Sequence, residues 1–503
     1  MKKRYLLYLF LVVFFAGTYL FLKKDKPTDF KINIGLSGRW NTLHPGLQHT
    51  YYADLVLSNQ FEALVGENDQ GVSVPLGAKS WIVNDDFTQF TFNIDTEKTF
   101  SDGSKLTASD YKRSWEEALK LEPISANSSL LDVLYKIKGF EGFKKTGHIS
   151  GLKVVNEATL VIDFSTPFRM ALEHLKGNRF AAYKVKDNKF YGTGKFEIQE
   201  LENNHCLMIP RKDLGVNSPI LDVKFISGDK IISSLISGEI DVIHDISGEN
   251  PEIDKIDDAK FNYILGPSSV HKVISLNSNS EFFKKINNRK AFLYQLYQTL
   301  KNNPSLIEKT RFIKLDFQFY LPLQAGRLEE REVEEIIFQG KPFVDGFLKE
   351  KFIFRVGPNS SYNVDIISYL GKNISEKSGL EDQDSYFKYL YGQTGPDSFL
   401  HGFSIASGDP DGLYHKLGKN GAIRTPYVYS DVVGDLLEEG RKITDINKLD
   451  EHYKKVSRAL LTEVPMIHLG FSKTLTFYRT DKVEIDTTVL RRNQGQLHFL
   501  RMK

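Results

Sequence analysis

Polar and apolar residues along the chain follow two different periods, and the period indicates which element each stretch forms. Phe90-Thr-Phe-Asn-Ile94 alternates with period two, as a half-buried strand does. Further on, Thr107 stands where a helix would begin, with Asp110 at the capping-box position. Tyr111, Trp115 and Leu119 then fall on one helical face. Leu293, Leu296, Tyr297 and Leu300 share a second such face, and Leu449, Tyr453, Val456 and Leu460 a third. Ile231, Ile232, Leu235 and Ile236 predict a short apolar helix stopped at Gly238, with a strand over Ile240–Ile243 behind it. Lys31–Ile34 reads as another strand, and Gly35-Leu-Ser-Gly38 as the turn that follows it. The run Leu328-Glu-Glu-Arg-Glu-Val-Glu-Glu335 is charged enough to be a solvated helix face. No Ser/Gly linker, low-complexity run or short repeat follows Lys26. The fold class is α/β, with several sheets.

One stretch has no period at all. Tyr5 to Leu22 carries no charge, lies behind Lys2, Lys3 and Arg4, and is followed by Lys23, Lys24 and Lys26. As a helix at about 1.5 Å per residue it spans roughly 27 Å, close to the hydrocarbon thickness of a bilayer. Residues 1–27 are therefore expected to be a signal or a transmembrane anchor, with the large remainder exported. The apolar core is longer than a cleaved signal needs and Phe-Ala-Gly-Thr-Tyr is a poor cleavage context, which favours an uncleaved helix over residues 5–22. No cysteine follows it, so the chain is not a lipoprotein.

At 503 residues the chain has room for about three domains or lobes. Its 66 basic and 64 acidic side chains leave a net charge of +2, which gives no electrostatic case for a nucleic-acid partner. One cysteine, Cys206, excludes an intrachain disulfide, cysteine-rich zinc sites and iron–sulfur clusters. It sits beside Leu207-Met-Ile209 and reads as a buried, inert thiol. Histidines cluster only loosely (His44 with His49, His205 beside Cys206, His401 with His415), without metal-ligand spacing. Asp85-Asp86 and Glu116-Glu117 look like turn and helix-surface residues. No HExxH, GxSxG, GxxxxGK[ST] or GxGxxG motif is present. Neither a cofactor nor a metal nor an enzymatic reaction is expected.

The segment Pro75 to Leu119 carries the most specific pattern: Pro75, Leu76, Ala78, Ser80-Trp81, Phe90-Thr-Phe92, Phe100-Ser-Asp-Gly103 and Leu106-Thr-Ala-Ser-Asp110. Each element has a physical use, Asp102-Gly103 as the turn into the helix and Thr107 with Asp110 as its cap, worth about 1 kcal/mol. The segment resembles the family 5 extracellular solute-binding proteins, the receptors of peptide and nickel ABC importers. Further similarities follow in the family's order: Trp40-Asn-Thr-Leu-His-Pro45, Asn59-Gln-Phe-Glu-Ala-Leu64, Tyr191-Gly-Thr-Gly194, Leu235-Ile-Ser-Gly-Glu-Ile-Asp241, Ser275-Leu-Asn277 with Asn288-Arg-Lys-Ala291, Gly402 to Pro410, and Val464-Pro-Met-Ile467.

The resemblance implies a two-lobed periplasmic-binding-protein fold of the large type, with ligand held in the interlobe cleft by lobe closure. Lobe 1 is expected at 28–269 plus 469–503, with an extra subdomain over about 56–187, and lobe 2 at 270–468. The chain would be a periplasmic or extracytoplasmic monomer anchored in the cytoplasmic membrane, handing a peptide or other small solute to an ABC permease. Trp40, Phe403, Ser404, Ser407 and Asp409 are the expected ligand-binding residues, with Arg355 for a ligand carboxylate. Where peptide-binding members carry the aspartate that pairs with the peptide's ammonium group, this chain has Ala406, and Asp409 or Asp411 could stand in. Pro210-Arg-Lys-Asp-Leu214 also replaces an aromatic segment of the family. These departures leave open an alternative, a membrane-anchored sensor or assembly protein that kept the fold without transport.

Overall fold

The computed structural model describes residues 30–503 apart from 41, 43, 49, 69–71, 122–129, 203, 213–217, 309, 323, 357–373, 380–395, 406–409, 419–429 and 490–494. The apolar run Tyr5–Leu22 lies outside the described residues. Among those described, no helix is long and apolar enough to cross a membrane.

One sheet runs through both halves of the molecule. Its strands follow the order Phe196–Glu202, His205–Pro210, Ile220–Phe225, Lys31–Leu36, Val242–Ser247, Met466–Arg479, Phe261–Leu276, Ser398–Ile405, Phe352–Val356 and Ile374–Gly379, and Ile313–Leu315 pairs separately with Met466–Arg479. Lys31–Leu36 runs parallel to both its neighbours on the first flank. Phe352–Val356 does the same on the second. Parallel pairing on both flanks requires crossovers, and helices cover the sheet accordingly.

Two antiparallel strands join the flanks: Phe261–Leu276 with 16 residues and Met466–Arg479 with 14. At about 3.3 Å per residue each reaches roughly 45–55 Å, enough to run from one half into the other. The expected crossings near 270 and 468 fall inside these strands. Phe261–Leu265 pairs with Leu475–Arg479, and Ser269–Ser275 pairs with Met466–Lys473. Between these two ladders Gly266, Pro267 and Ser268 face Thr474 alone, a bulge that bends the strand and interrupts its hydrogen bonding. Pro267 has no N–H to offer a ladder. Gly266 is required by space: a Cβ there would stand 2.0 Å from Thr474 Oγ1 and 2.8 Å from Asp245 Oδ1. The adjoining ladder skips at the same level, between Ile243 and Ile246, where Asp245 adopts φ +57°.

Period-two alternation on the strands of the second half supplies two cores. Ile274, Leu400 and Ile467 face the helices Ile286–Asn302 and Glu330–Phe338. Val273, Phe399 and Met466, one residue away on each strand, face Asp431–Gly440 and Leu449–Glu463. A separate four-stranded antiparallel sheet, ordered Ala78–Val83, Gln89–Ile94, Thr159–Asp163 and Leu152–Asn156, is inserted into the first half. It packs on the helix Ala108–Ala118 around Phe90, Phe92, Tyr111, Trp115, Leu160 and Phe164.

Most expected elements are present. The strand Gln89–Ile94 buries alternate residues. The Asp110 carboxylate accepts from the Thr107 N–H at 2.9 Å and from its hydroxyl at 2.7 Å, closing the helix start. Gly238, at φ +81°, ends the helix Ile231–Ser237. Three readings need correction: Gly35 and Leu36, expected in the turn, continue the strand Lys31–Leu36 beside Lys224 and Phe225. Ile236 is half exposed (49%), because the helix has only one apolar side, and the strand after it begins at Val242. Glu116 is not a surface residue: it is buried, accepting from the Ile149 N–H at 2.9 Å and contacting His148 Nδ1 at 3.0 Å.

The motifs also have structural explanations. Gly192 and Gly194 lie so close to the backbone of Asn59 and Gln60 that a Cβ would meet Gln60 O at 2.0 Å and Asn59 O at 2.4 Å. The two motifs are the two sides of one backbone junction, closed by Gly194 N–H to Gln60 O at 2.8 Å and Phe196 N–H to Asn59 O at 3.0 Å. Asp241 is fully buried and accepts from the Asn33 N–H and from Lys482, both at 2.9 Å. It thereby fastens the first strand to the chain's last segment.

Candidate functional site

The strand Ser398–Ile405 runs toward the bulged crossing, with Ile405 in register with Ser269 and Phe403 with His271. The Phe403 and His271 rings stack at 5.8 Å and 11°. His271 continues to His468 on the next strand, Nδ1 to Nε2 at 2.9 Å, and His468 Nδ1 donates to Asp316 O at 2.7 Å. That second bond puts the His468 proton on Nδ1, so Nε2 accepts from His271. Burial holds His271 well below the ordinary imidazole range and His468 down to about 4, so both are neutral at pH 7. His401, two residues before Phe403, bonds Ser275 Oγ at 2.8 Å.

Next comes the helical turn Tyr414–Leu417, held in the core by Tyr414, Leu417 and the preceding Leu413. Its remaining long side chain, Lys416, is half-buried and places Nζ 5.3 Å from the centre of the Phe403 ring. Desolvation lowers the Lys416 ammonium to about 8. Burial first, and then the Lys416 charge, push His401 down to about 3. Among the described residues no acidic side chain pairs with Lys416.

Asp411 belongs to a different constellation. Its Oδ2 accepts from Arg441 Nε at 2.8 Å and its Oδ1 from the Tyr453 hydroxyl at 3.3 Å, with both charged side chains buried. Arg441 then packs its guanidinium 3.1 Å from the centre of the Tyr414 ring and 5.5 Å from that of Phe168, and donates through Nη2 to His174 Nε2 at 3.3 Å. Phe168 and His174 belong to the inserted module of the first half, so Arg441 bridges the two halves next to the Tyr414–Leu417 turn. Lys416, Phe403 and His401 lie on the second half, and Phe403 and His401 are buried there.

The residues expected to bind ligand are not all brought together. Phe403 is buried, 8% exposed. Ser404 follows it in the strand, in register with Val270. Ser407 and Asp409, like Ala406, lie outside the described residues. Trp40 is buried in the first-half core and donates its indole N–H to Glu202 O at 3.0 Å, which accounts for it without a ligand. Arg355 is in register with Phe399, four residues or about 13 Å further from the crossing than Phe403. Lys416 and the Asp411–Arg441–His174 bridge were not singled out from sequence. The signal for Lys416 was its position inside the apolar turn Leu413–Leu417; the bridge joins residues too distant in the chain for spacing to reveal.

Residues 73–296 match the family model described as bacterial extracellular solute-binding proteins, family 5 Middle. The oligopeptide-binding protein OppA of Bacillus subtilis (strain 168) is 31% identical over 149 residues, 29% of this chain and 27% of that protein's length. Among solved structures, Haemophilus influenzae OppA in complex with RPPGFSPFR superposes with a TM-score of 0.75 at 14% identity, covering 95% of this chain and 99% of that one. AgaA of A. tumefaciens R10, in complex with agropinic acid, superposes with a TM-score of 0.74 at 18% identity, covering 94% and 99%. The architecture is therefore the two-lobed periplasmic-binding-protein fold with mixed α/β content. Over residues 73–296 the chain is similar to the bacterial extracellular solute-binding proteins, family 5, and it shares their fold.

Proposed function

We propose that this chain is an extracytoplasmic receptor that closes its two lobes around a peptide or peptide-like solute and presents it to an ABC permease. The observation that carries the reading is the crossing: two long strands joined by a ladder that is interrupted at Gly266–Ser268. Such a junction can bend with few hydrogen bonds to break, and ligand contacts from both lobes would stabilise the closed form. The lobes are taken as 28–269 plus 469–503 and 270–468, with the subdomain at about 56–187. The bulges at Gly266–Ser268 and around Thr474 serve as the hinge. Phe403, Ser404, Ser407 and Asp409 are the ligand-binding residues of this reading, and residues 5–22 its membrane anchor.

The test is calorimetry of the full chain against a mixed library of free, N-acetylated and C-amidated tripeptides, with small-angle scattering of the same samples. Heat of binding accompanied by a smaller radius of gyration supports the receptor reading. A protein that neither binds nor changes shape is better described by the sensor or assembly alternative.

A further inference from the structure

Among the described residues, side-chain contacts between the halves include two kinds. One kind lies alongside the crossing strands. Thr310 Oγ1 donates to Gly248 O and Arg311 pairs with Asp258, next to Ile313–Leu315 on its ladder with Met466–Arg479. Contacts so close to a pivot change little when the halves rotate. The other kind is made by Arg441, at the end of the helix Asp431–Gly440, against the inserted module, a part of the first half with its own sheet. A contact there is made or lost with the motion of a whole half.

Arg441 is oriented by its own half before it meets the other. Asp411 accepts from its Nε at 2.8 Å, and the Tyr414 ring centre lies 3.1 Å from the guanidinium carbon. Both supports are themselves fixed, Asp411 by the Tyr453 hydroxyl and Tyr414 by its own hydroxyl donating to Glu438. The first half then adds only two interactions, His174 Nε2 at 3.3 Å and the Phe168 ring at 5.5 Å. An arginine can only donate, so His174 Nε2 is the acceptor. The dock is as rigid as the clasp: Phe168 is 1% exposed in the module's core, and its ring lies 5.4 Å from that of His174. Glu173, beside His174, is held by Lys176 at 2.7 Å and by the Ser73 hydroxyl at 3.1 Å.

We infer that Arg441 is an interlobe clasp, a guanidinium held ready by Asp411 and Tyr414 that docks on His174 and Phe168 of the inserted module and sets how much of the protein is closed. The inference rests on the receptor reading, which supplies the moving lobes. Because the guanidinium keeps its partners on the second half when the halves part, opening gives up only one hydrogen bond to a neutral imidazole and one cation–π contact. Interactions of that size shift an equilibrium by about 3- to 30-fold, enough to bias closure and too little to lock it. The clasp does not touch the ligand. It acts on affinity through the closed fraction, to which the apparent affinity of a closed-state ligand is proportional.

The experiment places spin labels at Lys144→Cys and Lys448→Cys, exposed positions on the two halves, and reads their distance in the full chain with and without the tripeptide library. Calorimetry with the tightest-binding tripeptide of that library runs alongside, and melting curves check that each variant folds. His174→Lys sets a fixed cation against Arg441. It should lower the ligand-free short-distance population and the affinity by the same factor, up to about 10-fold. His174→Gln offers an amide oxygen to the guanidinium and should keep most of both. Should His174→Lys not fold, His174→Ala carries the comparison, with about a threefold fall in each quantity. Lower affinity with unchanged ligand-free distances would make His174 a ligand contact and overturn the clasp. Unchanged distances and affinity in the folded variants would overturn it too, and in both cases tripeptide binding leaves the receptor intact. A wild-type protein that neither binds the library nor changes its distances overturns the receptor reading and this inference with it.

Discussion

Lys416 and Asp411 lie five residues apart and illustrate opposite fates of a charge. Asp411 is compensated in full by Arg441, so removing one partner strands the other in a buried site. Asp411→Ala is expected to cost about 3–5 kcal/mol of unfolding free energy, read from denaturant midpoints. Among the described residues no acid pairs with Lys416, and burial lowers its ammonium to about 8. Neither residue's role could be read from the chain alone. Lys416 is one of many lysines until its neighbours are known, and Asp411 meets Arg441 across 30 residues of sequence.

Strands, turns and helix ends were the most legible part of the sequence, because their causes are local. The Gln89–Ile94 alternation and the Thr107–Asp110 cap depend on neighbours a few positions away. Glu116 was misread because its partners, His148 and Ile149, come from a different segment. Gly192 and Gly194 show the same limit from the other side: the motif was visible, but its cause is the backbone of Asn59 and Gln60. Gly194→Ala should therefore destabilise the fold by about 3 kcal/mol or more, seen as a lower denaturation midpoint. A midpoint within error of wild type would mean that the junction is loose. At the crossing, Gly266→Ala should disturb both stability and closure, and Thr474→Ala should rescue much of the loss by removing the hydroxyl 2.0 Å from the new methyl group. Melting curves of the two single variants and the double variant give the coupling directly.

Among the described residues two long strands carry the sheet from one half to the other, and Arg441 Nη2 meets His174 Nε2 across the halves at 3.3 Å. The order of family motifs along the chain made this architecture legible, whereas the cleft's chemistry was not. Its candidate residues come from separate strands and a short turn. The central claim is ligand-driven closure about the bulged crossing. It is tested most directly by a distance between spin labels on the two lobes, at Lys144→Cys in the inserted module and Lys442→Cys beside Arg441, both exposed positions. The native Cys206 does not interfere, being fully buried with its thiol pushed up to about 12. Without ligand the account predicts a distribution with a long-distance population, and with the tripeptide library a collapse to the short distance of the bridged form. A single distance, the same with and without every tripeptide that binds, would contradict it.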